Sequence, residues 1–194
     1  ISGGNFHGQP MALPIDYACI AASEIGNISD RRIYLSLEGD TPGVPKLLMK
    51  ETGTNSGFMI VQYTTAALAS ENKGLCFPAS ADSIPTSLGQ EDHVSMGSIG
   101  GRKALKVISN TEQILGIELM CAAQAMDYHR PLKSGEKMEE IHALVRESVP
   151  HIEKDQIMTG FMDSTKELIH SGKLTEAMKE LSKASEYYND FDQY

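Results

Sequence analysis

Tryptophan is absent from this chain of 194 residues, and aromatic residues together make up only 6% of it. Cysteine is scarce as well: Cys19, Cys76 and Cys121 are widely spaced, odd in number and outside any CxxC motif. This pattern disfavours a disulfide framework and a zinc knuckle. It predicts reduced thiols, a structural role for each cysteine and a cytoplasmic protein.

Basic residues are few, and long hydrophobic runs are missing. Lysine and arginine number 17 against 26 acidic residues, which gives a formal net charge of −9. An acidic surface disfavours nucleic acid and anionic membranes as partners. No run reaches the roughly 18 apolar residues of a membrane span. The hydrophobic content of 41% is enough for the core of one domain or one large lobe.

Apolar residues at helical spacing predict two helices in the first half of the chain. Pro10 suits the first turn of the first helix, because the N–H that proline lacks has no helical partner there. The predicted apolar face of this helix comprises Met11, Ile15, Ala18, Ala22 and Ile25. A loop rich in Pro and Gly over residues 40–54 precedes a second helix over residues 56–72. The predicted stripe of that helix comprises Phe58, Val61, Thr65, Leu68 and Asn72.

The second half is predicted to be helical too. A third, long helix over residues 102–129 has a predicted apolar face of Leu105, Ile108, Leu115, Leu119, Ala122 and Met126. Three shorter helices follow over residues 135–188, separated by Pro150 and Gly172. The histidines of this half, at 129, 142, 151 and 170, are predicted to be surface or capping residues. No convincing strand occurs, so the predicted class is all-α, a bundle of long central helices with shorter C-terminal helices.

Between the second and third helices lies a long segment, LCFPASADSIPTSLGQEDHVSMGS, at residues 75–98. Loops of this length within a compact domain are usually functional or disordered. Its apolar residues predict an ordered loop held to a core. These residues are Leu75, Phe77, Ile84, Leu88 and Val94.

The first candidate site is SGGNFHG, at residues 2–8. Glycines before a helix N-terminus can bind a phosphate group. The segment lacks the spacing of both common glycine-rich phosphate loops, G-x-x-x-x-G-K-[ST] and G-x-G-x-x-G. A tight turn that brings Phe6 and His7 to the helix start is therefore favoured.

The second candidate site is QEDH, at residues 90–93. Adjacent side chains diverge and no other His/Cys cluster is near, so we predict no metal site. A polar turn at a helix start is the plain alternative. Glu91 lies close to Val94 and Met96, which predicts a partly buried carboxylate that needs a hydrogen-bonding partner. A cationic or N–H-bearing substrate could supply that partner. A Ser-His-Asp triad is disfavoured because the chain has no G-x-S-x-G motif.

Four segments resemble the histidine ammonia-lyases, within the aromatic amino acid lyase and aminomutase superfamily. They occur in the family's order and are SGGNFHGQP, EIGNISDRR, NSGFMIVQYTTAALASENK and PASADSIPTSLGQEDHVSMG. The resemblance implies that residues 1–130 are the C-terminal part of the central helical-bundle lyase domain, and residues 131–194 a helical tail of the same lobe. It also implies an enzyme that eliminates ammonia from L-histidine to give trans-urocanate, in histidine degradation.

The resemblance further implies a cofactor. The family's electrophile is a 4-methylidene-imidazol-5-one group made from an internal Ala-Ser-Gly, and this chain contains no Ala-Ser-Gly. We therefore expect the C-terminal portion of the enzyme, inactive without the N-terminal part that carries the electrophile. No cofactor-binding residue and no metal ligand is expected in these 194 residues. The family's assembly implies a homotetramer.

Three residues of this chain match the family's site. Phe6 corresponds to the phenylalanine beside the electrophile and substrate, and Gln90 to a residue of the same wall. Glu91 corresponds to the glutamate that faces the substrate imidazole, and is the expected catalytic residue. The lyases for phenylalanine and tyrosine usually read QD where this chain reads QED, so Glu91 favours histidine. Three alternatives stay open: a core role for Phe6, a non-catalytic helical assembly fragment, and a lyase or aminomutase for another aromatic amino acid.

Overall fold

The computed structural model describes residues 5–182, and in these residues it confirms the all-α class. The helices are α1 (Gln9–Leu37), α2 (Met59–Leu75), α3 (Gly97–Asp127), α4 (Glu136–Arg146), α5 (Thr159–His170) and α6 (Lys173–Ser182). Extended pairing over this part of the chain is limited to an isolated bridge between Thr86 and Glu91. In the same residues no helix is both long and apolar enough to cross a membrane. The C-terminal EYYNDFDQY, residues 186–194, lies outside the described residues.

Helix α1 begins close to the predicted position. The Gly8 carbonyl accepts the N–H groups of Met11 and Ala12 at 2.9 and 3.1 Å, and so opens the helix. Gly8 has a φ of +76°, a conformation that L-residues with a side chain rarely adopt. Pro14 lies inside α1 without ending it. The hydrogen bond that Pro14 cannot make would have gone to Pro10, in the first turn.

The predicted apolar face of α1 is wrong. Met11 and Ile25 are 66% and 51% exposed. The buried positions of this stretch lie one residue further along and are small or polar: Ala12, Asp16, Cys19, Ser23 and Gly26. The large apolar residues of α1 therefore lie on its outward face, and their spacing predicts the wrong face as buried.

Helix α3 shows the same reversal, whereas α2 does not. Leu105 and Ile108 of the predicted α3 face are 72% and 47% exposed, and Ala122 is also exposed. The buried residues of α3 include Val107, Asn110, Thr111, Ile114, Ile117, Met120, Cys121 and Gln124. The predicted stripe of the second helix is confirmed at four of its five positions: Val61, Thr65 and Asn72 of α2 and Phe58 directly before it are buried, and Leu68 is half-buried.

The described chain divides into two compact units. The first combines the residues up to Asp30 with Thr64–Ile114, and the second combines Arg31–Tyr63 with the residues from Leu115 onward. The boundary near residue 130 that the resemblance implies concerns the architecture of a longer enzyme, and it stays a prediction.

Polar side chains hold the interior of the first unit. The amide of Asn110 donates to Asn72 Oδ1 at 2.9 Å and to Glu71 Oε2 at 2.6 Å. The Thr111 hydroxyl donates to the Ala22 carbonyl at 3.1 Å. Buried polar groups cost free energy unless they are hydrogen-bonded. These contacts meet that requirement and explain how α1 and α3 can turn polar residues inward.

The second unit contains a buried amide and a close helix contact. The Gln124 side chain, 1% exposed, donates to the Ile152 carbonyl at 2.8 Å and accepts the Ile152 N–H at 3.1 Å. A Cβ added to Gly116 would lie 2.7 Å from the Lys166 backbone nitrogen, so α3 and α5 meet where only glycine fits. The three predicted shorter helices are confirmed within the described residues, and Gly172, with φ +77°, separates α5 from α6.

Two of the histidines predicted to be surface or capping residues instead bind Asp127. His142 Nε2 and His151 Nδ1 lie 2.7 and 2.9 Å from its two carboxylate oxygens, and Arg146 lies 2.7 Å away. Burial alone would raise the pKa of Asp127, but His151, Arg146 and His142 outweigh it and leave that pKa lowered. This ion cluster joins the end of α3 to α4 and to the segment that follows α4.

The cysteines are free thiols, and two of them are buried. Cys19 and Cys121 are each about 1% exposed. Burial raises the pKa of both thiols, which keeps them protonated and unreactive at neutral pH. Their surroundings support the predicted structural role.

Candidate active site

A buried carboxylate at the inner face of α1 anchors the long loop between α2 and α3. Asp16 is 4% exposed, and its Oδ2 accepts the Ser80 N–H at 2.7 Å. The Gln9 amide donates to the Ser80 carbonyl at 2.9 Å. Lys103 Nζ lies 3.9 Å from Asp16 Oδ1 and donates to the Phe77 carbonyl. Residues of α1 and α3 therefore hold the first residues of the loop.

The electrostatic balance at Asp16 favours the charged form. Burial alone would raise the pKa of its carboxyl. Hydrogen bonds from Ser80 and Ala79, together with the charge of Lys103, outweigh burial and leave the pKa below its ordinary value. The anchor is an ionised carboxylate at neutral pH.

Of the five apolar residues predicted to hold this loop, Leu75 and Val94 are half-buried, but the other three are exposed. Phe77, Ile84 and Leu88 are 79%, 55% and 109% exposed. The loop is ordered as predicted, but by polar contacts. The Ser83 hydroxyl adds another, because it accepts the Val94 N–H at 3.2 Å and lies 3.2 Å from His93 Nδ1.

The tip of the loop is a strained turn that presents the second candidate segment. Thr86 and Glu91 exchange two backbone hydrogen bonds, of 3.0 and 3.3 Å. Between them Ser87, Leu88 and Gly89 have φ values of +54°, +56° and +88°. A leucine in this left-handed region costs free energy, and such strain is found at functional sites. The turn fixes the backbone of Glu91 and of the preceding Gln90.

The first candidate segment forms a second turn, as predicted. The Gly8 N–H donates to the Asn5 carbonyl at 3.0 Å, and the Ser95 hydroxyl donates to the His7 carbonyl. The ring of Phe6 meets the His7 ring edge to face, with centroids 5.1 Å apart. Phe6 is 83% exposed, so it lies outside the core formed by the described residues.

His7 joins the two turns. Its Nε2 lies 2.8 Å from Glu91 Oε2, and the two side chains are 30% and 36% exposed. Glu91 is half-buried as predicted, and the side chain that lies against its carboxylate is a residue of this chain, His7. The structure thus groups Phe6, His7 and Glu91. Gln90 is exposed, and its side chain makes no hydrogen bond within residues 5–182.

Sequence reasoning missed three residues of this region. His7 was placed in the turn beside Phe6, but its contact with Glu91 joins positions far apart in the chain. Asp16 and Lys103 lie on helices whose inward faces are polar, so hydropathy gave no signal for them. No cluster of His, Cys, Asp and Glu able to hold a metal ion occurs in the described part of the chain.

Among the described residues, two loop turns between helices bring an aromatic ring and a carboxylate together, as the motif resemblance implies. A family model described as aromatic amino acid lyase matches residues 1–147. The chain belongs to the aromatic amino acid lyase family.

Relatives with the same printed name span most of the chain. It is 51% identical to "Histidine ammonia-lyase" of Natranaerobius thermophilus over 92% of its length, and 46% identical to that of Symbiobacterium thermophilum over 92%. These matches cover 36% and 35% of the two relatives. The chain therefore spans about a third of the length of the curated relatives it matches.

Solved structures share the fold. The crystal structure of histidine ammonia-lyase from Trypanosoma cruzi superposes with a TM-score of 0.89 at 47% identity, over 93% of this chain and 36% of that one. Tyrosine aminomutase from Streptomyces globisporus superposes with a TM-score of 0.87 at 33% identity, over 92% of this chain and 34% of that one.

Proposed function

We propose that this chain is part of a histidine ammonia-lyase, which converts L-histidine to trans-urocanate and ammonia. The observation that carries the proposal is the half-buried Glu91 carboxylate, held on a strained turn with an imidazole nitrogen 2.8 Å away. A carboxylate that already lies against one imidazole is suited to accept the N–H of the substrate imidazole. The relatives named histidine ammonia-lyase support this substrate.

Glu91 has one role in binding and one in chemistry under this proposal. The carboxylate binds the imidazole N–H of the substrate and orients its ring, and this bond is charge-assisted when the ring is protonated. The second role is to assist proton transfer at the substrate β-carbon. Phe6 and Gln90 form the neighbouring wall, where the exposed Phe6 ring offers an aromatic surface to the substrate and electrophile.

The electrophile fits this site only as a group supplied from outside residues 1–194. When bound, a 4-methylidene-imidazol-5-one group activates the amino acid for loss of its amine. The chain has no Ala-Ser-Gly from which to make it. The 83% exposed ring of Phe6, beside the His7–Glu91 pair, leaves open the surface against which such a group would lie. We therefore propose that another polypeptide segment contributes it.

Assembly and location belong to the same proposal. Large apolar side chains lie exposed on α1, including Met11, Tyr17, Ile20 and Ile25. Exposed apolar faces of this kind mark interaction surfaces, and they support a homotetramer that also contains the remaining part of the enzyme. Free, buried cysteines support a cytoplasmic protein.

Substitution of Glu91 tests the proposed substrate contact. In the complete enzyme that contains this chain, Glu91→Gln should lower kcat/KM for L-histidine by about a hundredfold or more, because it removes the charged acceptor and the base. Urocanate formation is the measurement, and Asp82→Asn, an exposed acid of the same loop, is the matched control. An unchanged rate with Glu91→Gln would rule out the contact. Activity on tyrosine but not on histidine would favour an aminomutase or lyase for another aromatic amino acid, and no turnover of either would favour an assembly role.

A further inference from the structure

The partner that Glu91 has in this structure is chemically the same as the partner proposed for it in catalysis. His7 Nε2 lies 2.8 Å from Glu91 Oε2, which is the distance of a close ion pair when the imidazole is protonated. The Glu91 carboxylate has two oxygens, which together offer about four lone pairs to hydrogen-bond donors. This contact uses one carboxylate oxygen, Oε2, and does not involve Oε1.

The position of His7 is fixed independently of Glu91. Its carbonyl accepts the Ser95 hydroxyl, and its ring contacts the edge or face of Phe6. The turn that carries it is closed by the hydrogen bond from Gly8 to Asn5. Because these contacts hold the backbone and the ring of His7, His7 can restrict the rotamers of the Glu91 side chain.

The position of Glu91 is fixed at its backbone but not along its side chain. Its N–H and carbonyl both bond to Thr86, across a turn with three left-handed residues. Three rotatable bonds still separate that backbone from the carboxylate, and a glutamate that is 36% exposed samples several rotamers unless a contact selects one. The structure shows one such contact, to His7.

We propose that His7 is a positioning residue, which holds Glu91 through Oε2 so that Oε1 remains free to accept the imidazole N–H of the substrate. This inference rests on the proposed function. The contact runs through His7 Nε2, and the edge-to-face packing of the His7 ring against Phe6 restricts the orientation of that ring. The consequence is a carboxylate arranged before the substrate arrives, which lowers the ordering cost of binding.

The test is a double-mutant cycle in the complete enzyme, with L-histidine as substrate. His7→Phe keeps an aromatic ring next to Phe6 but removes the donor, whereas His7→Gln keeps an N–H donor near the position of Nε2. His7→Phe should lower kcat/KM by roughly ten- to a hundredfold, the loss expected for one hydrogen bond to a charged group. His7→Gln should stay within about threefold of wild type. His129→Phe, at an exposed histidine, is the matched control.

The second half of the cycle separates positioning from a structural effect. In the Glu91→Gln background, His7→Phe should cause less than about a threefold further loss, because the residue acts through Glu91. Isothermal titration with trans-urocanate should show that His7→Phe raises the dissociation constant when Glu91 is present but has little effect in the Glu91→Gln background. This measurement does not require turnover. If His7→Phe unfolds the enzyme, the comparison of His7→Gln with wild type in both Glu91 backgrounds carries the test.

The outcomes distinguish this inference from the proposed function. Equal losses from His7→Phe in both backgrounds, or no loss in either, would overturn the positioning role while wild-type urocanate formation upheld the proposed function. A folded His7→Gln variant as impaired as His7→Phe would also overturn it. A wild-type enzyme that forms no urocanate would overturn the proposed function and this inference together.

Discussion

Asp16→Ala should destabilise the first unit and release the loop that carries the site. The substitution removes the carboxylate that accepts the Ser80 N–H at 2.7 Å and that faces Lys103 at 3.9 Å. Asp16 is 4% exposed, so water does not freely replace what is lost. The Ser80 N–H then remains in a buried position without its acceptor.

The magnitude follows from these contacts. A hydrogen bond to a charged group contributes about 1.5–3 kcal/mol. The ion pair with Lys103 adds little beyond this, because the cost of burying two charges offsets most of their attraction. We expect Asp16→Ala to lower the free energy of unfolding by about 3 kcal/mol, a large part of the 5–15 kcal/mol typical of a folded domain. Asp16→Asn keeps an acceptor oxygen and should cost about half as much.

The effect should depend on pH in a defined direction. The pKa of Asp16 is lowered in the folded state, so its contribution is present above the ordinary pKa of an aspartate and is lost as pH falls through the folded value. The loss in free energy of unfolding caused by Asp16→Ala should therefore be smaller at about pH 3 than near neutral pH, as measured by urea unfolding. Asp82→Ala is the exposed control. A deficit below about 0.5 kcal/mol, or one unchanged by acid, would refute the anchoring role.

Three further substitutions test the fold by urea unfolding. Gly116→Ala should cost about 1–3 kcal/mol because its Cβ would lie 2.7 Å from the Lys166 nitrogen, whereas Gly160→Ala, with no atom within 4 Å, should be neutral; equal effects would contradict the close contact. Leu88→Asn should raise the free energy of unfolding by about 0.5–1 kcal/mol, because asparagine tolerates a φ of +56° better than leucine, and a loss would contradict the strain. Gln124→Ala should cost about 3 kcal/mol through its buried backbone partners, and a cost under about 1 kcal/mol would contradict their importance.

The order and type of the helices could be predicted from the sequence, but not the inward faces of the two longest ones. Helix α2 buries Phe58 and Val61, so its hydropathy pattern identified the correct face. Helices α1 and α3 bury Asp16 and Asn110 and expose Met11, because hydrogen bonds satisfy the polar side chains inside the unit. Apolar periodicity identifies the face that avoids water. The described residues do not cover Met11 and Ile25 of α1 or Leu105 and Ile108 of α3, although other apolar residues of α3, such as Ile114, are buried.

The candidate site could be predicted in part. Motif resemblance selected Phe6 and Glu91, and the structure groups both of them around one histidine. It could not identify His7 as the partner, because a contact between two loop turns depends on tertiary structure and leaves no periodic signal. The same reason explains why the loop was expected to be held by Leu88, which is fully exposed, and not by Asp16.

Turnover of L-histidine by the assembled enzyme tests the central claim most directly. This chain, purified together with the polypeptide segment that carries Ala-Ser-Gly, should convert L-histidine to trans-urocanate with release of one equivalent of ammonia, and substitution of Glu91 by Gln should remove most of that activity. An assembled enzyme that forms no urocanate, or one that forms it equally well with Gln at position 91, would contradict the account.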